Sequence, residues 1–353
     1  MATKTMKAVT QSAFGEPAKV LKVDRVPLPA FDESSSELLV QVKAVSVNPL
    51  DYIMVKGTLK FLFNTPMPAV IGADLSAVVA KAGKGTGFKE GDEVYGLMSM
   101  KSQGSLAEYC MVPARNVALK PKSLSHEEAS CMPVTGLTAI QAFQRHSGPK
   151  GTAFIPAGLG GVGSVMLQLA KPYAGFKRTI TTASTAKVEL VKKYIQDVDE
   201  VIDYKKVDPA TVIPAHSCDF VLDQFGKPSE YVRYVRKPAP GNSTQGKPSI
   251  ISIVTPPNAE KCQEGWEIRV NPLLRIGLNL MDWTTRLRIP NWIHFDSFFA
   301  LAISKDLQTL AELADQGKVR PVIDKVFPIE QAVEAILLAE SKPAGKVVIR
   351  ISD

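Results

Sequence analysis

The chain has 353 residues, 45% hydrophobic and 22% charged, which excludes a disordered or fibrous protein and allows two domains with separate cores. Its net charge of +7 is carried by scattered lysines and arginines rather than runs, so a generally basic surface is favoured and a nucleic-acid partner disfavoured. The four cysteines form no C-x-x-C pair, and no apolar stretch approaches the length of a membrane span, so neither a thiolate zinc site nor a membrane-spanning segment is expected. The N-terminal MATKTMKAVTQSAFGEP lacks the apolar core of a secretory signal, so a cytoplasmic location with reduced cysteines is the expectation.

Short strand patterns with frequent glycine, proline and lysine fill the first 125 residues, at 6–10, 38–47, 77–80, 93–96 and 107–112, and predict an all-β unit. Ser125 followed by Glu128 has the form of a capping box, and a helix is expected over 136–145. From residue 152 the pattern alternates: strands at 152–156, 178–183, 200–203, 220–223 and 249–254, with helices at 162–170 and 186–194. Such alternation predicts an α/β fold with a doubly wound parallel sheet. A proline- and glycine-rich loop covers 237–247, and 273–292 is a mixed apolar and basic segment whose plain reading is packing or subunit contact. A helix at 305–316, a strand at 322–327, a helix at 329–339 and a strand at 346–351 complete the chain.

The densest chemical signal is TAFIPAGLGGVGSVMLQLA, in which Gly158, Gly160 and Gly163 have the spacing G-x-G-x-x-G between a buried strand and a helix. The first glycine permits a tight turn, the second lets backbone approach a pyrophosphate, and the third lets the helix close on its strand, with the helix N-terminus facing the phosphates. NAD-selective sites usually place an Asp or Glu about 20 residues further on, to accept from the ribose 2′-hydroxyl. Here the second strand instead ends Thr181-Thr182-Ala183-Ser184-Thr185-Ala186-Lys187, with Tyr204 ending the next. Hydroxyls and an ammonium suit a 2′-phosphate, so NADPH is the expected cofactor. Bland alternatives exist, a solvated helix lysine for Lys187 and a half-buried edge residue for Tyr204.

Together with that glycine loop, ordered motifs along nearly the whole chain carry a resemblance: Met6-Lys7-Ala8, Val47-Asn48-Pro49-Leu50-Asp51, Val70-Ile71-Gly72-Ala73-Asp74, Gly91-Asp92-Glu93-Val94-Tyr95-Gly96, Gly104-Ser105-Leu106-Ala107-Glu108-Tyr109, Gly136-Leu137-Thr138-Ala139 and Ala344-Gly345-Lys346-Val347-Val348. The chain resembles the medium-chain dehydrogenase/reductase superfamily, in its zinc-independent quinone oxidoreductase branch. The resemblance implies a GroES-like β-rich catalytic domain over 1–128, completed by 296–353, and an inserted Rossmann NADPH-binding domain over 129–295, with the active site in the cleft and a homodimer by analogy. It puts Asn48, Ala73-Asp74 and Val134 where zinc alcohol dehydrogenases of the same superfamily carry metal ligands, so the expected reaction is metal-free. That reaction is hydride transfer from NADPH to a small-molecule quinone or to the double bond of an α,β-unsaturated carbonyl (an enone). Asn48 is the candidate donor to developing negative charge, and Tyr52 and Lys56 are candidates to orient substrate or deliver a proton. Each also has a structural reading, as a turn residue, a core-packing ring and a solvated lysine. Thr138, Gly161, Val162 and Val254 complete the implied cofactor contacts. Two other functions fit the same pattern: a trans-acting enoyl reductase of a polyketide or fatty-acid pathway, and a structural or nucleic-acid-binding protein that holds NADPH without turnover.

Overall fold

The structure, a computed structural model, describes residues 4–60, 62, 65–99, 104–238, 246–266 and 270–352. The chain divides into two compact units, one combining Met1–Leu137 with Ala302–Asp353 and the other formed by Thr138–Leu301.

The first unit is built on two sheets. A three-stranded sheet runs in the order Leu21–Pro27, Thr5–Gln11, Ala69–Val70. The larger sheet runs Ile323–Pro328, Lys346–Arg350, Glu37–Val47, Asp74–Ala82, Glu93–Leu97, Val117–Leu119, and Tyr109–Pro113 also pairs with Glu37–Val47. Strand Glu37–Val47 is an apolar run of leucine, valine and alanine interrupted by Gln41, Lys43 and Ser46, and Val40, Val42 and Val45 meet Leu75, Val94, Val347 and Ile349 in one buried cluster. The last strand joins this sheet antiparallel, with Val347 opposite Val47 and Val348 opposite Ser46. That register carries Lys346 to the level of Asn48.

The expectation of an all-β unit is corrected by two helices, Pro17–Val20 and Pro49–Val55. The second begins where Pro49 supplies a pre-set φ at the first helical position and the Asp51 carboxylate accepts the Asn48 N–H at 2.7 Å. The sequence Asn-Pro-x-Asp is thus a helix start. The Ser125–Glu128 box closes reciprocally at 3.2 and 3.0 Å, and the long helix that follows begins at Met132, earlier than expected.

The second unit is a six-stranded parallel sheet in the order Glu200–Asp203, Arg178–Ala183, Thr152–Phe154, Phe220–Asp223, Ser249–Ser252, His294–Ser297. The chain leaves the sheet's first strand in sequence, Thr152–Phe154, in one direction and returns to its other side, which makes the crevice at its C-terminal end the topological switch point. Helix Gly161–Ala170 starts there and buries Val165, Met166, Leu167 and Leu169. At about 2 kcal/mol for each fully buried apolar side chain, this face holds the helix down and aims its N-terminus at the crevice. Strand His294–Ser297 was not expected, and the unplaced segment resolves into helix Pro272–Leu287, capped by Asn271, whose side chain accepts the Leu274 N–H at 2.9 Å. Residues 239–245 of the expected loop lie outside the described residues.

Candidate active site

In the first unit, polar side chains converge on Asp74. Its Oδ2 accepts from Ser46 Oγ at 2.6 Å and Asn48 Nδ2 at 2.8 Å, and its Oδ1 accepts from the Val134 backbone N–H at 2.9 Å. The Lys346 ammonium donates to Asn48 Oδ1 at 2.6 Å and to the Val47 carbonyl at 3.0 Å, and stands 3.8 Å from Asp74 Oδ2. All of these side chains are buried. Asn48 therefore turns its amide inward: the Nδ2 group is given to Asp74 and, at 3.4 Å, to the Ser46 carbonyl. The expected donor to substrate is a member of a closed network.

Desolvation raises the Asp74 carboxyl above its ordinary range, opposed chiefly by the Lys346 charge. Asp51 is subject to the same effect. Burial pushes its carboxyl up to about 7 against the Asn48 N–H, the Asp74 charge adds to the rise, and its Oδ1 has no hydrogen-bond partner.

Tyr52 is half-buried against the apolar cluster, and burial, followed by the Glu340 charge, holds its phenol above the ordinary tyrosine range. Its hydroxyl takes no partner among the described residues, so it is the uncommitted hydroxyl of this segment. Lys56 is committed: its ammonium pairs with Glu340 and lies 3.4 Å from Glu16.

Among the described residues no three His, Cys, Asp or Glu side chains cluster to hold a metal. Asn48, Asp74 and Val134 do come together, but the donor set includes the Lys346 ammonium, whose charge opposes any cation placed among them. Zinc does not fit this group of residues.

In the second unit the glycine loop is fixed from several sides. Gly158 N–H donates to the Thr182 carbonyl at 3.1 Å, Ala157 N–H to Thr182 Oγ1 at 3.1 Å, and Gln224 Nε2 to the Pro156 carbonyl at 2.5 Å. A Cβ on Gly158 would lie 2.5 Å from Thr181 Oγ1, and one on Gly163 would lie 2.4 Å from the Ala157 carbonyl oxygen. Both positions exclude a side chain. Gly160 occupies the N-cap of the helix that Gly161, Val162 and Gly163 begin, leaving first-turn N–H groups to face a phosphate.

Ser184 caps the short turn Thr185–Lys187, with Lys187 N–H on the Ser184 carbonyl at 2.7 Å. Tyr204 N–H bonds the Ala183 carbonyl at 3.1 Å, which brings Ser184, Lys187 and Tyr204 to one strand end. Sequence reasoning missed Asp203, which sits among them and turns its carboxylate to Thr185 Oγ1 at 3.1 Å and the Lys205 N–H at 3.0 Å. Asp223, at the end of its strand, has a structural role in the crevice: Oδ1 accepts the backbone N–H groups of Phe225, Gly226 and Lys227, and Oδ2 accepts from Ser252 and Thr255. An Asp ending a strand, followed by a glycine two residues after Gln224, is its signal in the sequence. Val254 is exposed beside this loop, whereas Thr138 is buried within helix Met132–Gln144.

Residues 34–122 match the alcohol dehydrogenase GroES-like domain and residues 196–349 match the zinc-binding dehydrogenase family. The chain is 32% identical over 356 residues to the 2-methylene-furan-3-one reductase of Solanum lycopersicum, covering 98% of this chain and 79% of that one. It is 30% identical over 358 residues to the chloroplastic NADPH-dependent alkenal/one oxidoreductase of Arabidopsis thaliana, covering 98% and 80%. The solved quinone oxidoreductase of Coxiella burnetii superposes with a TM-score of 0.78 at 25% identity, covering 99% of this chain and 100% of that one. The chain belongs to the medium-chain dehydrogenase/reductase superfamily, among relatives that are quinone oxidoreductases and enone reductases. It is an oxidoreductase of that family, whose members bind nicotinamide dinucleotides.

Proposed function

We propose that the chain is an NADPH-dependent reductase that transfers hydride, without zinc, to quinones or to the carbon–carbon double bond of α,β-unsaturated carbonyl compounds. The observation that carries this reading is the ammonium of Lys346 inside the Asn48–Asp74 network, a donor set that disfavours a dication. Without a Lewis acid, an unactivated alcohol is a poor substrate, whereas an acceptor with an electrophilic carbon needs only orientation and a proton. The names of the tomato and Arabidopsis relatives, a furanone reductase and an alkenal/one oxidoreductase, support the acceptor class.

Bound NADPH would supply the hydride from its nicotinamide C4. The first-turn N–H groups of Gly161, Val162 and Gly163 would hold its pyrophosphate, and Ser184, Lys187 and Tyr204 its 2′-phosphate. Asp203 is already engaged by Thr185 and backbone, which reduces its competition with that phosphate. The pair of electrons arriving on the acceptor leaves negative charge on its carbonyl oxygen, and a proton must follow. Tyr52 would hold that proton: its phenol stays protonated at neutral pH and is uncommitted. Asn48 and Lys56 act in this reading through structure, Asn48 by fixing the start of the Tyr52 helix and Lys56 by pinning its end to Glu340.

The test is NADPH and NADH oxidation measured across quinones, enals, enones and enoyl thioesters, with zinc content determined on the same preparation. Turnover of quinones or enones with NADPH by zinc-free protein is the expected result. Stoichiometric zinc whose removal abolishes activity would overturn it.

A further inference from the structure

Helix Pro272–Leu287 presents an apolar stripe to solvent. Leu273, Ile276, Leu280, Trp283 and Leu287 are 83%, 65%, 55%, 57% and 65% exposed, at successive spacings of three, four, three and four. At about 100° per residue they occupy an arc of about 80°, directly opposite the stripe centred on Leu278 and Asp282, which is buried. Scattered exposed apolar side chains need no explanation, but five in register along one helix do.

The charges around the stripe indicate what covers it. Arg275 and Arg286 lie on one flank and Arg288 on the other, each about 100–120° from the centre of the apolar arc. The single acid of the helix, Asp282, is buried and bonded to Arg286 Nε at 2.9 Å, so that pair offers a partner neither an open anion nor an open cation, and the open charges at the margins are Arg275 and Arg288. The adjoining helix Ala259–Trp266 turns Ala259 and Gln263 to this one, through Asn279 and Arg275, and its exposed Glu260 and Glu264 lie one position further round. A second copy packed stripe to stripe would bring arginine margins together with no free carboxylate on either helix. An anionic surface meets them with opposite charge.

We propose that helix Pro272–Leu287 is an interfacial anchor that lies flat on an anionic lipid bilayer, sinking its leucine, isoleucine and tryptophan stripe among the acyl chains while the arginines reach headgroup phosphates. At 16 residues the helix is about 24 Å long, suited to lying in the interface, and no helix among the described residues is long and apolar enough to cross a membrane. The inference goes beyond the proposed reductase activity and does not rest on it.

The test is co-sedimentation of the whole protein with vesicles of phosphatidylcholine alone and of phosphatidylcholine mixed with phosphatidylserine, beside sedimentation velocity without lipid. The mixed vesicles should bind the protein, less so as salt is raised. Leu280→Glu with Trp283→Glu should weaken binding at least about tenfold. Arg275→Gln with Arg288→Gln should weaken it about 25-fold on mixed vesicles and little on phosphatidylcholine, at about fivefold per charge. Leu280, Trp283, Arg275 and Arg288 are all exposed, and melting curves establish that the variants fold. Independently, Trp283 fluorescence in a Trp266→Phe, Trp292→Phe background should be quenched by brominated lipid. Absence of binding to the mixed vesicles, binding indifferent to both pairs of substitutions, or self-association that Leu280→Glu with Trp283→Glu abolishes would each overturn the proposal, the last in favour of a second copy.

Discussion

Replacing Lys346 with methionine removes an ammonium from the buried network while keeping most of the length of its stem. The Val47 carbonyl loses a donor at 3.0 Å, Asn48 Oδ1 loses one at 2.6 Å, and Asp74 loses its counter-charge at 3.8 Å. Asp74 keeps Ser46, Asn48 and the Val134 N–H, so its hydrogen bonds survive and its charge compensation does not. Breaking a buried pair from one side costs about 3–5 kcal/mol, because the remaining charge is stranded away from water. For a unit of this size that is a fall of about 10 °C in melting temperature.

The loss has a characteristic pH dependence. The Asp74 carboxyl is already raised by burial, and without the ammonium it rises further. The folded variant then keeps a proton that the unfolded chain releases above about pH 4, so its stability falls as pH rises through the gap between the two values. Thermal unfolding followed by circular dichroism across the acid-to-neutral range should show the deficit of Lys346→Met growing with pH. Adding Asp74→Asn should recover more than half of it, since the stranded charge is gone. A deficit below about 1 kcal/mol at neutral pH, or a double variant no more stable than the single one, would refute the reading of this cluster as a charge-balanced network.

Asp51→Asn should flatten the decline of stability as pH rises from about 4 to about 7, because a carboxyl raised to about 7 by burial favours the folded state only while protonated; a pH series of melting curves checks this. Tyr52→Phe should lower kcat by about 10²-fold or more while leaving NADPH affinity and melting temperature near wild type, read by steady-state kinetics and fluorescence titration. Lys187→Ala should weaken NADPH binding by tenfold or more, about 1.5–3 kcal/mol for a charged hydrogen bond, and leave NADH nearly unchanged; equal losses would count against the phosphate pocket. Gly163→Ala should abolish binding of both nucleotides, since its Cβ would stand 2.4 Å from the Ala157 carbonyl oxygen and backbone cannot yield there cheaply.

The central sheet was legible because its strands are short, buried runs whose signal is local: Arg178–Ala183, Glu200–Asp203 and Phe220–Asp223 fall where the apolar pattern places them. His294–Ser297 escaped because two of its four residues are polar or charged and only half-buried, which leaves no apolar run to read. Helix Pro272–Leu287 was unreadable for the opposite reason. Its strongest apolar period faces solvent, so the usual equation of apolar stripe with core misleads, and the buried stripe runs through Asp282. Helix Pro49–Val55 is masked in the sequence because Asn48-Pro49-Leu50-Asp51 carries side chains suited to chemistry and spells a helix cap at the same time.

The candidate site divides along the same line. The glycine loop and the Ser184–Lys187 strand end are made by neighbours in sequence, and their chemistry could be inferred from composition and spacing. The Asp74 network could not, since Lys346 and Asn48 are 298 positions apart and meet only through the register of the closing strand. Once they meet, charge balance assigns the protons. The cluster holds two buried carboxylates and one ammonium, so it is neutral when one carboxyl is protonated. Asp74 has three hydrogen-bond donors and the ammonium beside it, whereas Asp51 is met only by backbone, the Asn48 N–H at 2.7 Å and a weaker contribution from Ala73, and its Oδ1 has no hydrogen-bond partner among the described residues. A neutral carboxyl with an unpaired oxygen costs far less to bury than an anion in the same place, so the proton belongs to Asp51. A network neutral and closed in this way has little left to give a substrate, and the proposed reading therefore takes the proton from one residue further on, at the Tyr52 hydroxyl, which has no hydrogen-bond partner among the described residues.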